Sequence, residues 1–204
     1  ISPLDINSGS EDNCAIDNYV LDQTEFDCSM LGPNLVTLTV TDVNGNSSTC
    51  TAIVTVEDVT PPIALCQDIT ISLNVLGNIE ISANQIDNGT YDVCLLDTIY
   101  IDPAEFDCSQ IGQNSVTLTA IDASGNISTC TAEVSIVDTI APTALCESFN
   151  VILDDNGLGS VVADSLDSGS FDACGIDTLI LSQTDFDCTD VGEVNVTLEV
   201  IDIN

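Results

Sequence analysis

Residues 34–52 read NLVTLTVTDVNGNSSTCTA, and residues 114–132 read NSVTLTAIDASGNISTCTA. Both phrases alternate apolar and polar residues, turn, and alternate again. In the second phrase Val116 and Leu118 alternate with Thr117 and Thr119. Beyond the Ser124-Gly125-Asn126 turn, Ala132, Val134 and Ile136 alternate with Glu133, Ser135 and Val137. A period of two puts one set of side chains on one face of a strand, and β-branched residues suit such half-buried positions. A Gly-containing turn between two runs of this kind is a hairpin signal. Upstream, Ile69, Ile71 and Leu73 alternate with Asp68, Thr70, Ser72 and Asn74 in the same way. No stretch carries a convincing helical period, so the reading is all-β.

The phrase also belongs to a longer recurrence. Cys14, Cys94 and Cys174 are 80 residues apart, as are Cys28, Cys108 and Cys188; Cys50 and Cys130 keep the spacing, and so do Cys66 and Cys146. EFDCSMLG at 25–32 returns as EFDCSQIG at 105–112 and DFDCTDVG at 185–192. A fixed period of this kind marks a tandem array of one structural unit. The Pro-containing joints Glu57-Asp58-Val59-Thr60-Pro61-Pro62 and Val137-Asp138-Thr139-Ile140-Ala141-Pro142 supply boundaries and read as semi-rigid connections. The expected organisation is the C-terminal part of one repeat over 1–60, a complete repeat over 61–140, and the N-terminal part of a third over 141–204. About six or seven strands per repeat point to tandem immunoglobulin-like β-sandwiches.

Composition narrows the function. The 204 residues include no Lys, Arg or His against 34 Asp plus Glu, a net charge of −34. Nucleic-acid binding requires cations that displace condensed counterions, and a basic lipid-binding patch requires them too; both are excluded. No apolar run is long enough to insert in a membrane. No carboxylate can pair with a cationic side chain, so clustered carboxylates must repel, protonate, stay apart, or hold a metal ion. A salt-adapted acidic surface is the other reading of this charge. Ten cysteines with no His and no C-x-x-C pair argue for disulfides rather than zinc, and so for an extracellular, cell-surface location. They also reinforce a thin core, since aromatics make up only 4% and Trp is absent.

Four cysteines per repeat allow three connectivities. Cys66 opens the first strand and Cys130 the last, at one pole of a sandwich, so Cys66–Cys130 is expected. Cys94 and Cys108 are then expected to pair locally across an out-and-back excursion, as are Cys14 with Cys28 and Cys174 with Cys188. Cys50 and Cys146 are left over, with partners expected outside these residues; Cys50–Cys66 across the joint is the alternative.

The joint Asp58-Val59-Thr60-Pro61-Pro62 followed by Cys66 resembles the opening of hyalin-type (HYR) repeats. The Phe106-to-Gly112 turn and the run from Val116 to Asn126 followed by Thr129-Cys130 are similar as well. The resemblance covers essentially the whole chain. It implies immunoglobulin-like repeats of extracellular adhesion proteins and brings no catalytic residues. The Cys94 and Cys108 pair with its Asp-rich loops looks most like the repeat arrays of Bacteroidetes cell-surface adhesins, gliding-motility adhesins among them.

Candidate chemistry sits in the loops. Asp87-Asn88-Gly89-Thr90-Tyr91-Asp92-Val93-Cys94-Leu95-Leu96-Asp97 recurs at 167–177 and, with Asn7 in place of the first Asp, at 7–17. In a sandwich this loop shares a pole with the preceding joint and the Asp122–Asn126 hairpin. Asp58, Asp87, Asp92, Asp97 and Asp122 are therefore expected to converge, as are Asp138, Asp167, Asp172, Asp177 and Asp202 at the next joint. Calcium, which takes six to eight oxygen ligands, is the candidate cofactor; the competing reading is that these Asp cap turns and face water. Thr98, Thr139, Ser165 and Thr178 follow Asp and precede an apolar residue, which resembles the acceptor pattern of Bacteroidetes O-glycosylation. Asn46, Asn88, Asn126 and Asn195 head N-x-Ser/Thr sequons. Paired carboxylates can hydrolyse glycosides, but carboxylates recurring in every repeat, without His or Lys, suit a spacer and not an enzyme. Phe26, Phe106 and Phe186 read as core plugs. The expected function is a stalk or filament segment of a surface adhesin. Its partners would be neighbouring repeats of the same chain, other filament subunits, or surface polysaccharide. A polysaccharide-binding module is the rival, although Tyr19, Tyr91 and Tyr100 do not occupy equivalent positions.

Overall fold

The alternating runs become strands in the computed structural model, which describes residues 1–204. The first copy contributes β1 (Ile16–Leu21), β2 (Gly32–Asp42) and β3 (Ser47–Val56), one antiparallel sheet in the order β1-β2-β3. The second contributes β4 (Ile69–Ser72), β5 (Asn78–Glu80), β6 (Leu96–Asp102), β7 (Glu105–Asp107), β8 (Gly112–Asp122) and β9 (Ile127–Val137). The third contributes β10 (Gly159–Ser160), β11 (Ile176–Leu181), β12 (Asp185–Phe186) and β13 (Leu198–Asp202). Helix is confined to single turns. Pro3–Ile6 and Ala83–Ile86 occupy equivalent places in the period, with a 3-10 turn at Ala163–Ser165 in the third copy.

In the complete repeat the sheet order is β4-β9-β8-β6, and β5-β7 form a separate pair. β4 runs parallel to β9, with Ile69 opposite Val134 and Ile71 opposite Ile136. The first strand beside the last and the last two joined as a hairpin, with β5-β7 as a separate pair, follow the expected immunoglobulin-like arrangement. The alternation dictates what is buried. Val116, Leu118 and Ala120 on β8 and Ala132, Val134 and Ile136 on β9 are buried, and Thr117 and Glu133 between them are exposed.

By contacts the chain divides into two compact units, one of 1–64, 89–99 and 119–129, the other of 65–88, 100–118 and 130–204. These units do not follow the sequence copies 1–60, 61–140 and 141–204. Each encloses one joint together with the loops around it. The core of the first is Leu21, Val36 and Leu38, with Phe26 and Tyr19 packed against it. In the second, Val161, Leu181 and Leu198 form a core lined by Phe186, and Phe106 is buried. Burying one such aliphatic side chain stabilises by about 1.5–3 kcal/mol. The recurring Phe are thus core residues, as expected.

The cysteine pairing differs in part from the expectation. Cys66–Cys130 forms, but the local pairs Cys14–Cys28, Cys94–Cys108 and Cys174–Cys188 do not. Cys28 bonds Cys94, and Cys108 bonds Cys174, each across 66 residues; Cys14, Cys50, Cys146 and Cys188 are unbonded. The reason is strand length. Cys94 precedes β6 and Cys108 follows β7, and the seven residues of β6 carry the chain about 20 Å away at roughly 3.3 Å per residue. The excursion goes out without returning, whereas a disulfide needs Cα atoms within about 7 Å.

Candidate functional site: a cystine-linked joint with converging carboxylates

Each half of the linking cystine is set by an aspartate. Asp107 caps the 3-10 turn Cys108–Gln110: its Oδ1 accepts from the Ser109 hydroxyl at 2.6 Å and the Ser109 N–H at 2.8 Å. Asp27 does the same beside Cys28 through Ser29, and Asp187 beside Cys188 through Thr189. These bonds, the hydroxyl's first and the N–H's second, hold all three carboxyls below the ordinary value of 3.8. The recurring Phe-Asp-Cys-Ser/Thr phrase is therefore a cap that aims a cysteine.

The other half is held by a turn closed on a side chain. Asp92 Oδ1 accepts from the N–H groups of Cys94 at 2.7 Å and Leu95 at 3.0 Å. Asp172 holds Cys174 and Gly175 likewise at 2.7 and 3.3 Å. Cys28 and Cys94 then meet with Cα atoms 5.1 Å apart, and Cys108 and Cys174 at 5.2 Å. Gly77 makes room for the second of these. Its φ is +73°, and a Cβ there would lie 2.7 Å from Cys108 Sγ and 3.2 Å from the Ala173 Cβ. No sequence signal short of the fold reveals that role.

At the first joint the carboxylates of Asp58, Asp92 and Asp122 offer oxygens within 4.8 Å of one another. Asp122 is 2% exposed. Its Oδ1 accepts from the N–H groups of Ser124 at 2.9 Å and Asn126 at 2.8 Å, and its Oδ2 from the Asn126 amide at 2.8 Å. Burial pushes its pKa up, but the Asn126 side chain and then the backbone donors outweigh that and leave it lowered. Asp58 Oδ1 accepts from the Thr60 N–H at 3.0 Å, which shapes the joint.

Of the five residues expected to converge, three do. Asp87 instead lies in a bridge with Cys66, and Asp97 is exposed on β6. At the second joint Asp138 and Asp172 come together with Cys174, whose sulfur is committed to Cys108. Asp167 bridges Cys146 and accepts from the Ser170 N–H at 2.9 Å. Asp177 is exposed on β11, and Asp202 accepts from Asn204 at the end of β13. The turn-capping reading also holds, because Asp92, Asp122 and Asp172 cap turns and join these clusters at once.

Three oxygen-only side chains, one of them a buried, ionised carboxylate, are a hard donor set that fits a calcium-type ion. The second joint fits less well, with two carboxylates and no usable thiolate. Among the sites expected to carry glycans, Thr98 and Thr139 are exposed, while Ser165 and Thr178 are half-buried.

Fold and joint together define a class: an all-β tandem repeat whose successive copies are joined by cystines. No protein-family model matches the chain, and no curated protein does. The hyalin-type resemblance therefore stands on the quoted phrases alone. Among solved structures the chain is similar to extracellular cadherin domains 1–4 of protocadherin gamma B7. The two are 10% identical, and the match covers 92% of this chain and 67% of that one at a TM-score of 0.31. At that TM-score nothing is drawn from the likeness. No helix is long and apolar enough to cross a membrane.

Proposed function

We propose that the chain is a covalently laced spacer, a stalk or filament segment of an extracellular adhesin, and not an enzyme. The observation that carries this reading is the pairing of Cys28 with Cys94 and of Cys108 with Cys174. Each bond joins one sequence copy to the next. A spacer that transmits load fails first at its joints, and a bond spanning the joint holds there after the Pro-stiffened linker has been stretched. Disulfides persist in oxidising compartments, which supports a location outside the cell, and the hyalin-type resemblance supports a surface adhesin. At the first joint Asp58, Asp92 and Asp122 would hold calcium. The ion would supply the positive charge that the chain lacks and fix the joint's carboxylates together. The exposed Thr98 and Thr139 fit surface glycans on the same segment.

Single-molecule stretching of the chain tests the reading. The linking cystines should make the contour length released before reductant shorter, by the closed loops, than the length released after it. Equal release in both conditions would remove the load-bearing role.

A further inference from the structure

The two joints differ in one donor. At the first, Asp58, Asp92 and Asp122 meet. One period on, Asp138 and Asp172 meet as well, but Asp202, the counterpart of Asp122, stays out of the group and the Cys174 sulfur completes it. The three donor atoms lie within 4.8 Å of one another, and the Cys174 sulfur brings a fourth with it, the Cys108 sulfur to which it is bonded. Asp138 Oδ1 accepts from the Ile140 N–H at 2.9 Å, and Asp172 Oδ1 from the N–H groups of Cys174 and Gly175. Neither Oδ2 accepts a hydrogen bond from the protein, and the chain has no Lys, Arg or His to approach it.

In the cystine both sulfurs are neutral and poor ligands. Reduction turns them into thiols that ionise on a metal, and two thiolates with two carboxylates are a mixed sulfur and oxygen set of four. Zinc takes thiolate at about 2.3 Å and carboxylate at about 2.0–2.2 Å in a tetrahedron, whereas calcium takes oxygen. Tetrahedral donors at those lengths are about 3.3–3.8 Å apart, so a group already within 4.8 Å closes by small side-chain rotations. We propose that the Cys108–Cys174 cystine is the oxidised form of a zinc site completed by Asp138 and Asp172, so that this joint is held by a covalent bond or, once reduced, by zinc. The proposal stands apart from the load-bearing role, because it concerns the chemistry of the sulfurs and not the force they carry.

Opening the site takes a dithiol reductant. One of its thiolates attacks a cystine sulfur and expels the other cysteine as thiolate; its second thiol then displaces the mixed disulfide. The cystine gains two electrons and two protons, the dithiol becomes a disulfide, and zinc releases the two protons as it binds the thiols. Zinc therefore favours the reduced pair and opposes its reoxidation.

Cys108→Ser tests the site without reductant. It leaves Cys28–Cys94 and Cys66–Cys130 closed and frees the Cys174 thiol beside both carboxylates. The whole chain, with the four unbonded cysteines silenced as C14S/C50S/C146S/C188S, is titrated with zinc and with cobalt as its coloured substitute. The C108S chain should bind one equivalent, with thiolate-to-cobalt absorption, at least tenfold more tightly than the parent with its cystines closed. Adding D138N or D172N should weaken binding by about tenfold or more, since even a ligand's outer-shell partner is worth about 10–100-fold. In a second arm the parent is reduced, desalted and reoxidised with and without zinc, and its cystines are mapped. Zinc should retard reclosure of Cys108–Cys174 more than that of the other two. Binding by C108S no tighter than by the parent, no thiolate absorption, an affinity unchanged in D138N and D172N, or equal retardation of all three cystines would each overturn the proposal. Should the C108S chain fail to fold, the reoxidation arm, which keeps all four ligands, decides alone.

Discussion

The side-chain amide of Asn126 donates to the backbone carbonyl of Asp58 across 3.1 Å, although 68 residues separate them. The same amide donates to Asp122 Oδ2 at 2.8 Å. One side chain thus ties the β8–β9 hairpin to the joint that enters the repeat. In the first copy Asn46 donates to Asp42 Oδ2 at 2.8 Å, the hairpin half of this arrangement.

Asn126→Ala should therefore destabilise more than Asn46→Ala. Both variants lose a bond to an ionised carboxylate; Asn126 also loses the neutral bond to the Asp58 carbonyl, worth about 0.5–1.5 kcal/mol, which is the expected excess. Urea unfolding of the two variants checks the order; equal losses would mean that the contact with the joint contributes nothing.

Removing one linking cystine should be costly. C108S/C174S opens a loop with a sequence separation of 66 residues, for which the chain-entropy model gives about 4 kcal/mol. C66S/C130S opens one of similar size, with a separation of 64. Both should lower the unfolding midpoint comparably, but only the first should add contour length across a joint in stretching experiments. Gly77→Ala should imitate the first in part, because the new methyl would displace Cys108 Sγ.

The strands were legible because alternation with a period of two survives translation into burial residue by residue, as at Val116, Leu118, Val134 and Ile136. Cys66–Cys130 was legible for a related reason: the first and last strands of such a sandwich begin at one pole. The other pairs are not legible, because a spacing of fourteen residues looks like a loop that returns. Whether it returns depends on β6 running straight, which the alternation alone does not give. The carboxylate cluster was legible in kind but not in membership. Asp97 follows Leu96 in strand alternation and so points outward, and Asp87 is drawn to Cys66 by a bridge between segments that the sequence keeps apart. Gly77 acquires meaning only when the Cys108 sulfur, in the turn after β7, approaches it.

Phe106 is the most deeply buried aromatic residue, at 2% exposure, while Phe26 and Phe186 are half-buried at the edges of their clusters. Phe106→Ala should cost about 3–5 kcal/mol, and Phe26→Ala and Phe186→Ala less. Denaturant midpoints of the three variants test this ranking.

Acid should weaken the capped turns. Asp27, Asp107 and Asp187 titrate below 3.8 in the folded chain because hydroxyl and backbone donors favour their ionised form. A carboxylate depressed by folding stabilises above its unfolded value and loses that contribution as pH falls through its folded value. The loss therefore lies below about pH 4, while neutralisation of the net charge of −34 relieves repulsion over the same range. A D27N/D107N/D187N variant retains the relief without these titrations. Its stability should fall less steeply than the wild type's between pH 4 and 2; parallel curves would mean that the caps contribute no pH dependence.

Calcium should act through Asp58, Asp92 and Asp122. In the chelated chain these carboxylates face one another with no cation available from Lys, Arg or His, and an ion that binds only the folded joint stabilises by mass action. At a hundredfold excess over Kd the gain is about 2.7 kcal/mol, visible as a rise in melting temperature on adding calcium and its reversal by chelator. Asp58→Asn removes one charge without touching a cystine or the Asp122 hairpin, so it should cut most of the calcium response and leave the chelated melting temperature nearly unchanged. Asp97→Asn, on the exposed face of β6, should leave the response intact. A melting temperature indifferent to calcium and chelator in the wild type would leave the three carboxylates as turn caps alone.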